Sequence, residues 1–292
     1  MSKTKKAIII GSVLVGIGVI IGFIGIAIGG FKFPNGAVDL TTMKALHAEK
    51  KTVQIADAFD KIEIAGASSM DIEICKSKTG KNYVEYYDTD DWTSHVDVKE
   101  QVLKFTTDDK GKHKAVVSLG FGKDTAARLY LADAEYKEIS VTTLSGYVTI
   151  QDVNAETVNV SASSGDLYMK NINATDSIMA TSSSGDIDLK NATAKQIELG
   201  ANSGDIEMQD ITAESLRMST SSGDIDLESC DAEKFDITTS SGDVDMEIAA
   251  GRTYRFETKT NSGAVDVPDG DADSDYLCKI VTSSGDVDVK QK

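Results

Sequence analysis

The side chains of this 292-residue chain with the means for chemistry are carboxylates, and they recur at a nearly fixed spacing. Asp166, Asp186, Asp205, Asp224 and Asp243 each follow a glycine, and Asp188, Glu207, Asp226 and Asp245 stand two residues after four of them. Columns of carboxylate oxygens suit hard cations, Ca2+ first among them, and carboxylate pairs are also the machinery of glycoside hydrolysis. Ser164, Ser184, Ser203, Ser222, Ser241, Ser262 and Ser284 each precede a glycine, which raises nucleophilic catalysis as a third chemistry. No Gly-x-Ser-x-Gly elbow accompanies these serines, and His47, His95 and His113 all lie outside the repeats. The three cysteines are too few for a disulfide framework or a zinc site.

What positions the carboxylates is a repeat. Glycines stand at 146, 165, 185, 204, 223, 242, 263 and 285, in steps of 19, 20, 19, 19, 19, 21 and 22 residues, a period that means stacked units. After each glycine comes a period-two alternation, as in Asp186-Ile187-Asp188-Leu189, the mark of a strand with one buried and one wet face. A second alternation ends each unit, as in Ile197-Glu198-Leu199 or Leu216-Arg217-Met218. Two short strands per unit are therefore expected, joined by a polar bend around Ala194, Ala213 or Ala232 and closed by the Ser-Ser-Gly corner. A single-stranded parallel β-solenoid of about eight to nine turns follows, each layer about 4.7 to 4.9 Å from the next.

Aligned positions then become inward columns. One runs Val148, Leu167, Ile187, Ile206, Ile225, Val244, Val265 and Val287; a second runs Ile150, Met169, Leu189, Met208, Leu227, Met246, Val267 and Val289; a third runs Val153, Ile172, Ala192, Ile211 and Cys230. The few apolar side chains in one unit cannot offset the entropy of ordering it, so units must stack. Residues 128–145 read as a further unit, and Ser68-Ser69-Met70-Asp71-Ile72-Glu73-Ile74 copies the corner with Met70 in the glycine's place, giving a degenerate first turn over 59–75. Between them, 76–127 breaks the period and reads as antiparallel strands at 83–87, 95–98, 102–106 and 114–121, an N-terminal cap over an open edge. The far end looks bare, stopping at Lys290-Gln291-Lys292 directly after a strand.

For the acids, two readings compete. Ca2+ collection would use Asp186, Asp188, Asp205, Glu207, Asp224, Asp226, Asp243 and Asp245. Alternatively, the Asp after each glycine hydrogen-bonds backbone amides in the tight corner while the outer column keeps the surface wet. The Gly-Gly-x-Gly-x-Asp nonapeptide of calcium-loaded β-rolls is missing, and Asp88-Thr89-Asp90-Asp91 lacks the glycine and terminal Glu of an EF-hand loop. The solvated ladder is the better reading, with no metal, cofactor or catalytic site assigned. Cys230 and Cys278 fall in the core on separate turns and Cys75 has no evident partner, so no disulfide is expected. Corner packing accounts for the serines, and packing within the cap accounts for Tyr83, Tyr86, Tyr87, Trp92 and Phe105.

Residues 7–31 carry no charge over 25 positions, longer than the roughly 30 Å hydrocarbon core requires, and Lys3, Lys5 and Lys6 precede them. This predicts a cytoplasmic 1–6, a single transmembrane helix at 7–31, a juxtamembrane linker at 32–58, the first turn and cap at 59–127, and an extracytoplasmic solenoid at 128–292. A cleaved signal peptide is the competitor. Gly18 with Gly22 and Gly25 with Gly29 form G-x-x-x-G pairs that would allow weak helix dimerisation. Residues 128–292 hold 31 acidic against 13 basic side chains, whereas 1–127 hold 16 against 17, so nucleic acid is excluded as a partner of the stack.

The recurring Ser-Gly-Asp-Ile-x-Leu word, the lead-in Phe59-Asp60-Lys61-Ile62-Glu63-Ile64 and the N-terminal apolar segment resemble the bacterial "putative adhesin" β-strand-repeat family. That family includes LiaG-like proteins linked to Gram-positive envelope-stress operons. The resemblance spans about 59–290, carries no catalytic residues, and departs from the pattern at Met70, Tyr147 and Ala264. It implies a non-catalytic, membrane-anchored surface module for adhesion or envelope stress, its envelope partner unidentified. A polysaccharide-active β-helix and a calcium-dependent surface module are the alternatives; turns held to 19–22 residues leave little room for the loops of a glycan cleft.

Overall fold

The computed structural model describes residues 37–39, 44–45, 48–67, 70–89, 92–109, 116–118 and 126–292, and the segments expected as cytoplasmic tail and transmembrane helix lie outside them. No helix among the described residues is long and apolar enough to cross a membrane. Two compact units are present. One contains a small antiparallel sheet of Ala37–Asp39, Lys44–Ala45 and Val116–Ser118. The strand expected at 114–121 therefore belongs, in its described part, to this sheet.

The other unit, residues 49–112 and 125–292, is an all-β parallel solenoid. Its regular turns are single unbroken strands: Val148–Ser164, Leu167–Ser182, Ile187–Ala201, Ile206–Thr220 and Ile225–Thr239. In Ile187–Ala201 the buried residues are Ile187 and Leu189, then Ala192 and Ala194, then Ile197 and Leu199, and Lys190-Asn191 and Lys195-Gln196 break the alternation between them. Each turn thus has three short faces, where two strands were expected. The alanines read as bends, Ala194, Ala213 and Ala232, instead point inward at 6%, 8% and 0% exposure, because only a small side chain fits between the neighbouring faces. One bend sits at Asp152, Asn171, Asn191, Asp210 and Ser229, all with φ between 50° and 57°. That left-handed conformation is open to Asn and Asp at little cost.

The expected columns are in register. The first runs Ala127, Ile72, Val148, Leu167, Ile187, Ile206, Ile225, Val244, Val287, Val265. Another runs Leu103, Ile62, Ile139, Val158, Ile178, Ile197, Leu216, Phe235, Cys278, Phe256. In both, the order departs from sequence at each end.

At the N-terminal end, Lys61–Ala67 and Ile72–Lys76 form the second layer, not the first. The segment read as a cap provides the outermost one: Val102–Asp109 stacks parallel on residues 61–65 and Ala127–Leu131 on 72–76. It is a cap as well, because Trp92–Lys99 pairs antiparallel with 102–109 and Tyr83–Thr89 with 128–130. Residues 128–145 are therefore not one unit; Ala127–Leu131 and Glu135–Ser145 lie in different layers with 59–76 between them. At the C-terminal end, Leu277–Val281 and Val287–Gln291 slot between 234–248 and 255–266. Val287–Gln291 is thus paired along its length with 244–248, and its first two residues are also covered by Val265-Asp266, correcting the expectation of a bare end. The exposed edge is Arg255–Lys259 and Val265–Asp266, short and charged as edge strands generally are.

Glycine is required at the corner because the layers touch there through backbone. A Cβ on Gly165, Gly185, Gly204, Gly223 or Gly242 would collide with the carbonyl oxygen of the preceding corner glycine. Gly285 faces Gly242 and Gly263 faces Gly285, the same out-of-sequence order. Gly146 faces the Met70 carbonyl, so Met70 stands at the foot of this column.

Candidate functional surface

The eight acids singled out by spacing separate into two columns of different character. The corner column is structural: Asp205, Asp224, Asp243 and Asp286 donate their backbone N–H to the Oδ1 of Asp186, Asp205, Asp224 and Asp243, at 2.9, 2.8, 2.8 and 2.8 Å. Each corner carboxylate therefore satisfies an amide of the next layer, a repeated side-chain-to-backbone bond. The two departures from the pattern now have physical meaning. Ala264 donates to Asp286 at 2.7 Å and, being in the outermost layer, has no further amide to receive. Tyr147 donates to Asp71 at 2.9 Å but offers Asp166 no carboxylate, so one rung is missing.

The second column lies on the outer surface of the face that follows the corner. It runs Tyr168, Asp188, Glu207, Asp226, Asp245, Asp288, Asp266, six carboxylates in successive layers. A depression along it is lined by Lys190, Glu207, Asp226, Asp245, Glu247 and Lys290, among others. Lys190 pairs with Asp188 at 2.9 Å and Lys290 with Asp288 at 2.9 Å, so the ladder is neutralised near its two ends. Its middle is not balanced in this way: partial burial, with Asp245 and Glu207 on the adjoining layers, pushes the Asp226 carboxyl above the usual range. The ladder's acids lie in a line rather than converging, and among the described residues no group of three or more His, Cys, Asp or Glu is placed to hold a metal ion.

Other reactive side chains are absorbed by packing. Cys230 and Cys278 are buried free thiols whose surroundings push them up to about 12, and Cys75 is a half-buried free thiol. A thiol held protonated in this way is a weak nucleophile. The corner serines are engaged through backbone, as in Ser222 N–H to Asn202 O and Ser241 N–H to Ser221 O, both 3.1 Å. In the cap, Tyr86 and Phe105 are core residues in edge-to-face contact, and Tyr83 stacks on Tyr130 with centroids 4.4 Å apart. His95 pairs with Asp108 at 3.1 Å on an exposed hairpin.

Sequence spacing missed two further ladders. Hydroxyls of Ser182, Thr220, Thr239 and Thr260 donate to the carbonyls of Gly165, Gly204, Gly223 and Gly285. Asn171 donates to Asp152 at 2.6 Å and Asn191 to Asn171 at 2.7 Å along the left-handed bend. The recurrence of Asp or Asn six residues after the corner glycine, at Asp152, Asn171, Asn191 and Asp210, was the available signal.

The geometry agrees with comparison to known proteins. A "putative adhesin" crystal structure from Bacteroides fragilis NCTC 9343 matches with a TM-score of 0.51 and 19% identity, covering 84% of this chain and 97% of that one. A "putative lipid binding protein" from Parabacteroides distasonis ATCC 8503 matches with a TM-score of 0.49 and 17% identity, covering 83% and 96%. At 19% identity the likeness to the first is one of fold. No curated protein matches the chain. The family description Toastrack DUF4097 fits residues 59–290, the whole span from the lead-in of the second layer to the closing strand. The chain belongs to the Toastrack DUF4097 family.

Proposed function

We propose that this protein is a non-catalytic, membrane-anchored surface module that displays the outer faces of its solenoid to a cell-surface or envelope component. The observation that carries this reading is how the polar groups are used. The interior is one continuous apolar core, and the Asp, Ser, Thr and Asn side chains at the bends hold layers together. What remains for function is a rigid outer surface of parallel ladders, dominated by one line of six acids. Flat, repetitive faces suit recognition of an extended partner. Anchoring rests on the uncharged run 7–31 behind Lys3, Lys5 and Lys6, which holds the solenoid outside the membrane.

The test uses intact cells carrying the full chain with a C-terminal tag. Externally added protease should remove the tag, and cross-linking on the cell surface should capture an envelope or host-surface component through the solenoid. A tag that stays protected in intact cells and is cleaved only after lysis would overturn the reading.

A further inference from the structure

The closing segment, residues 277–292, is held in an unusual way. Leu277–Val281 pairs with residues 234–238 on one side and 255–259 on the other, and Val287–Gln291 pairs with 244–248 and with Val265-Asp266. Every strand contact between the outermost layer and the rest of the stack passes through this segment. Cys278, Ile280, Val287 and Val289 are buried in the slot. The stretch 267–276 leads into the segment, tied down by Asp271 N–H to Tyr254 O at 3.0 Å and Ser274 Oγ to Thr253 O at 2.6 Å.

The slot can close when the segment leaves. Phe256, Gly263 and Val265 occupy the same columns as Cys278, Gly285 and Val287, so 255–266 is able to stack directly on 235–244, the order that chain sequence alone would give. In that order Ala264 N–H meets the Asp243 carboxylate that Asp286 N–H now uses; the two present rungs become one, and neither Ala264 N–H nor Asp243 is left without its corner partner. The withdrawn segment has no such substitute within its own chain. Stacked outside 255–266, Asp286 N–H would face Ala264, which has no carboxylate. Its complement is a slot with Asp243 on one flank and the Ala264 amide on the other, and a second copy of this chain offers one.

We propose that residues 277–292 exchange between copies, the closing segment of one molecule filling the slot of another. Exchange of an identical element is a low-cost route to a dimer, because every contact formed already exists in the monomer.

Register partners Asp245 and Asp288 both face outward, and neighbouring strands lie within disulfide reach. Full-length chains in detergent, in a Cys75→Ser background, carry either Asp245→Cys or Asp288→Cys. The two are mixed, warmed to the onset of melting, cooled and oxidised. Exchange predicts a covalent species of twice the monomer mass containing both variants, absent when Asp288→Cys is mixed with Glu198→Cys. The double variant, Asp245→Cys with Asp288→Cys in one chain, shows that the register survives substitution by closing internally. Monomers throughout the mixture, beside an internally closed double variant, would overturn the proposal. So would equal dimer yields with Glu198→Cys.

Discussion

Replacing Gly223 by alanine is the sharpest test of how the layers touch. An ideal Cβ there would overlap the Gly204 carbonyl oxygen, lie 2.6 Å from its carbon and 3.1 Å from Asp205 Oδ1. Ordinary carbon contacts are about 3.5 to 4.0 Å, so the two layers must part by about 1 Å at the corner. The nearest interlayer bonds, Ser222 N–H to Asn202 O at 3.1 Å and Asp224 N–H to Asp205 Oδ1 at 2.8 Å, would stretch out of range. Losing two such bonds at about 1 kcal/mol each, with overpacking strain of about 1 to 3 kcal/mol, gives about 3 to 5 kcal/mol. For a domain of this size that lowers Tm by roughly 6 to 20 °C. Gly200→Ala is the control, since its Cβ would meet Ser219 Oγ at 3.6 Å and Thr181 Cγ2 at 3.7 Å, which is ordinary contact. It should be neutral or stabilising by up to about 1 kcal/mol. Because a stack is coupled mainly through nearest neighbours, Gly223→Ala should also broaden the urea transition or split it in two. Thermal and urea unfolding of the three proteins decide the matter; a Gly223→Ala variant melting together with Gly200→Ala would refute direct backbone contact between corners.

Other expectations follow from the same ladders. Tyr147→Asp supplies the missing carboxylate beneath Asp166 and should stabilise by about 0.5 to 1 kcal/mol, read by urea denaturation; a loss of stability would count against the corner-column account. Asp224→Ala removes the acceptor of Asp243 N–H and should cost about 1 kcal/mol, with Asp224→Asn recovering most of it. The Asp226 carboxyl is raised in the folded state, so its ionised form is better tolerated unfolded, and its contribution is destabilising at neutral pH. Lowering the pH from 7 through its folded pKa toward the ordinary 3.8 should relieve this, and Asp226→Asn should raise Tm at pH 7 while flattening that part of the pH profile. CaCl2 and NaCl at equal ionic strength should shift Tm alike by screening the outer acids; a distinctly larger effect of CaCl2 would show that the ladder holds the ion.

The solenoid and its inward columns were legible in the sequence because a buried face imposes period two within a strand and the layer imposes period nineteen along the chain. The corner role of the aspartates was legible too, since Asp beside glycine is the residue type that bonds backbone in a bend. The third face was legible only in its column Val153, Ile172, Ala192, Ile211 and Cys230; Ala194, Ala213 and Ala232 beside it are small and lie among polar neighbours, so their buried positions read as a bend. Layer order at the ends was hidden for a different reason. Val244, Val265 and Val287 are chemically interchangeable in one column, and nothing local distinguishes consecutive stacking from insertion. The clue lay in Ala264, a residue without a carboxylate in a column of carboxylates, which costs no rung only where no further amide follows, whereas Tyr147 inside the stack does cost one. The N-terminal cap misled similarly, because 102–109 and 127–131 lack the corner word yet stack as a layer.

Amide hydrogen exchange over the last forty residues tests the layered arrangement most directly. With the closing strand inserted between layers, amides of Val287–Gln291 should be protected close to the level of Ile225–Thr239, and those of Arg255–Lys259 and Val265-Asp266 should exchange much sooner. Rapid exchange at 287–291 with strong protection at 255–266 would mean that the turns stack in chain order, and would contradict the inserted closure.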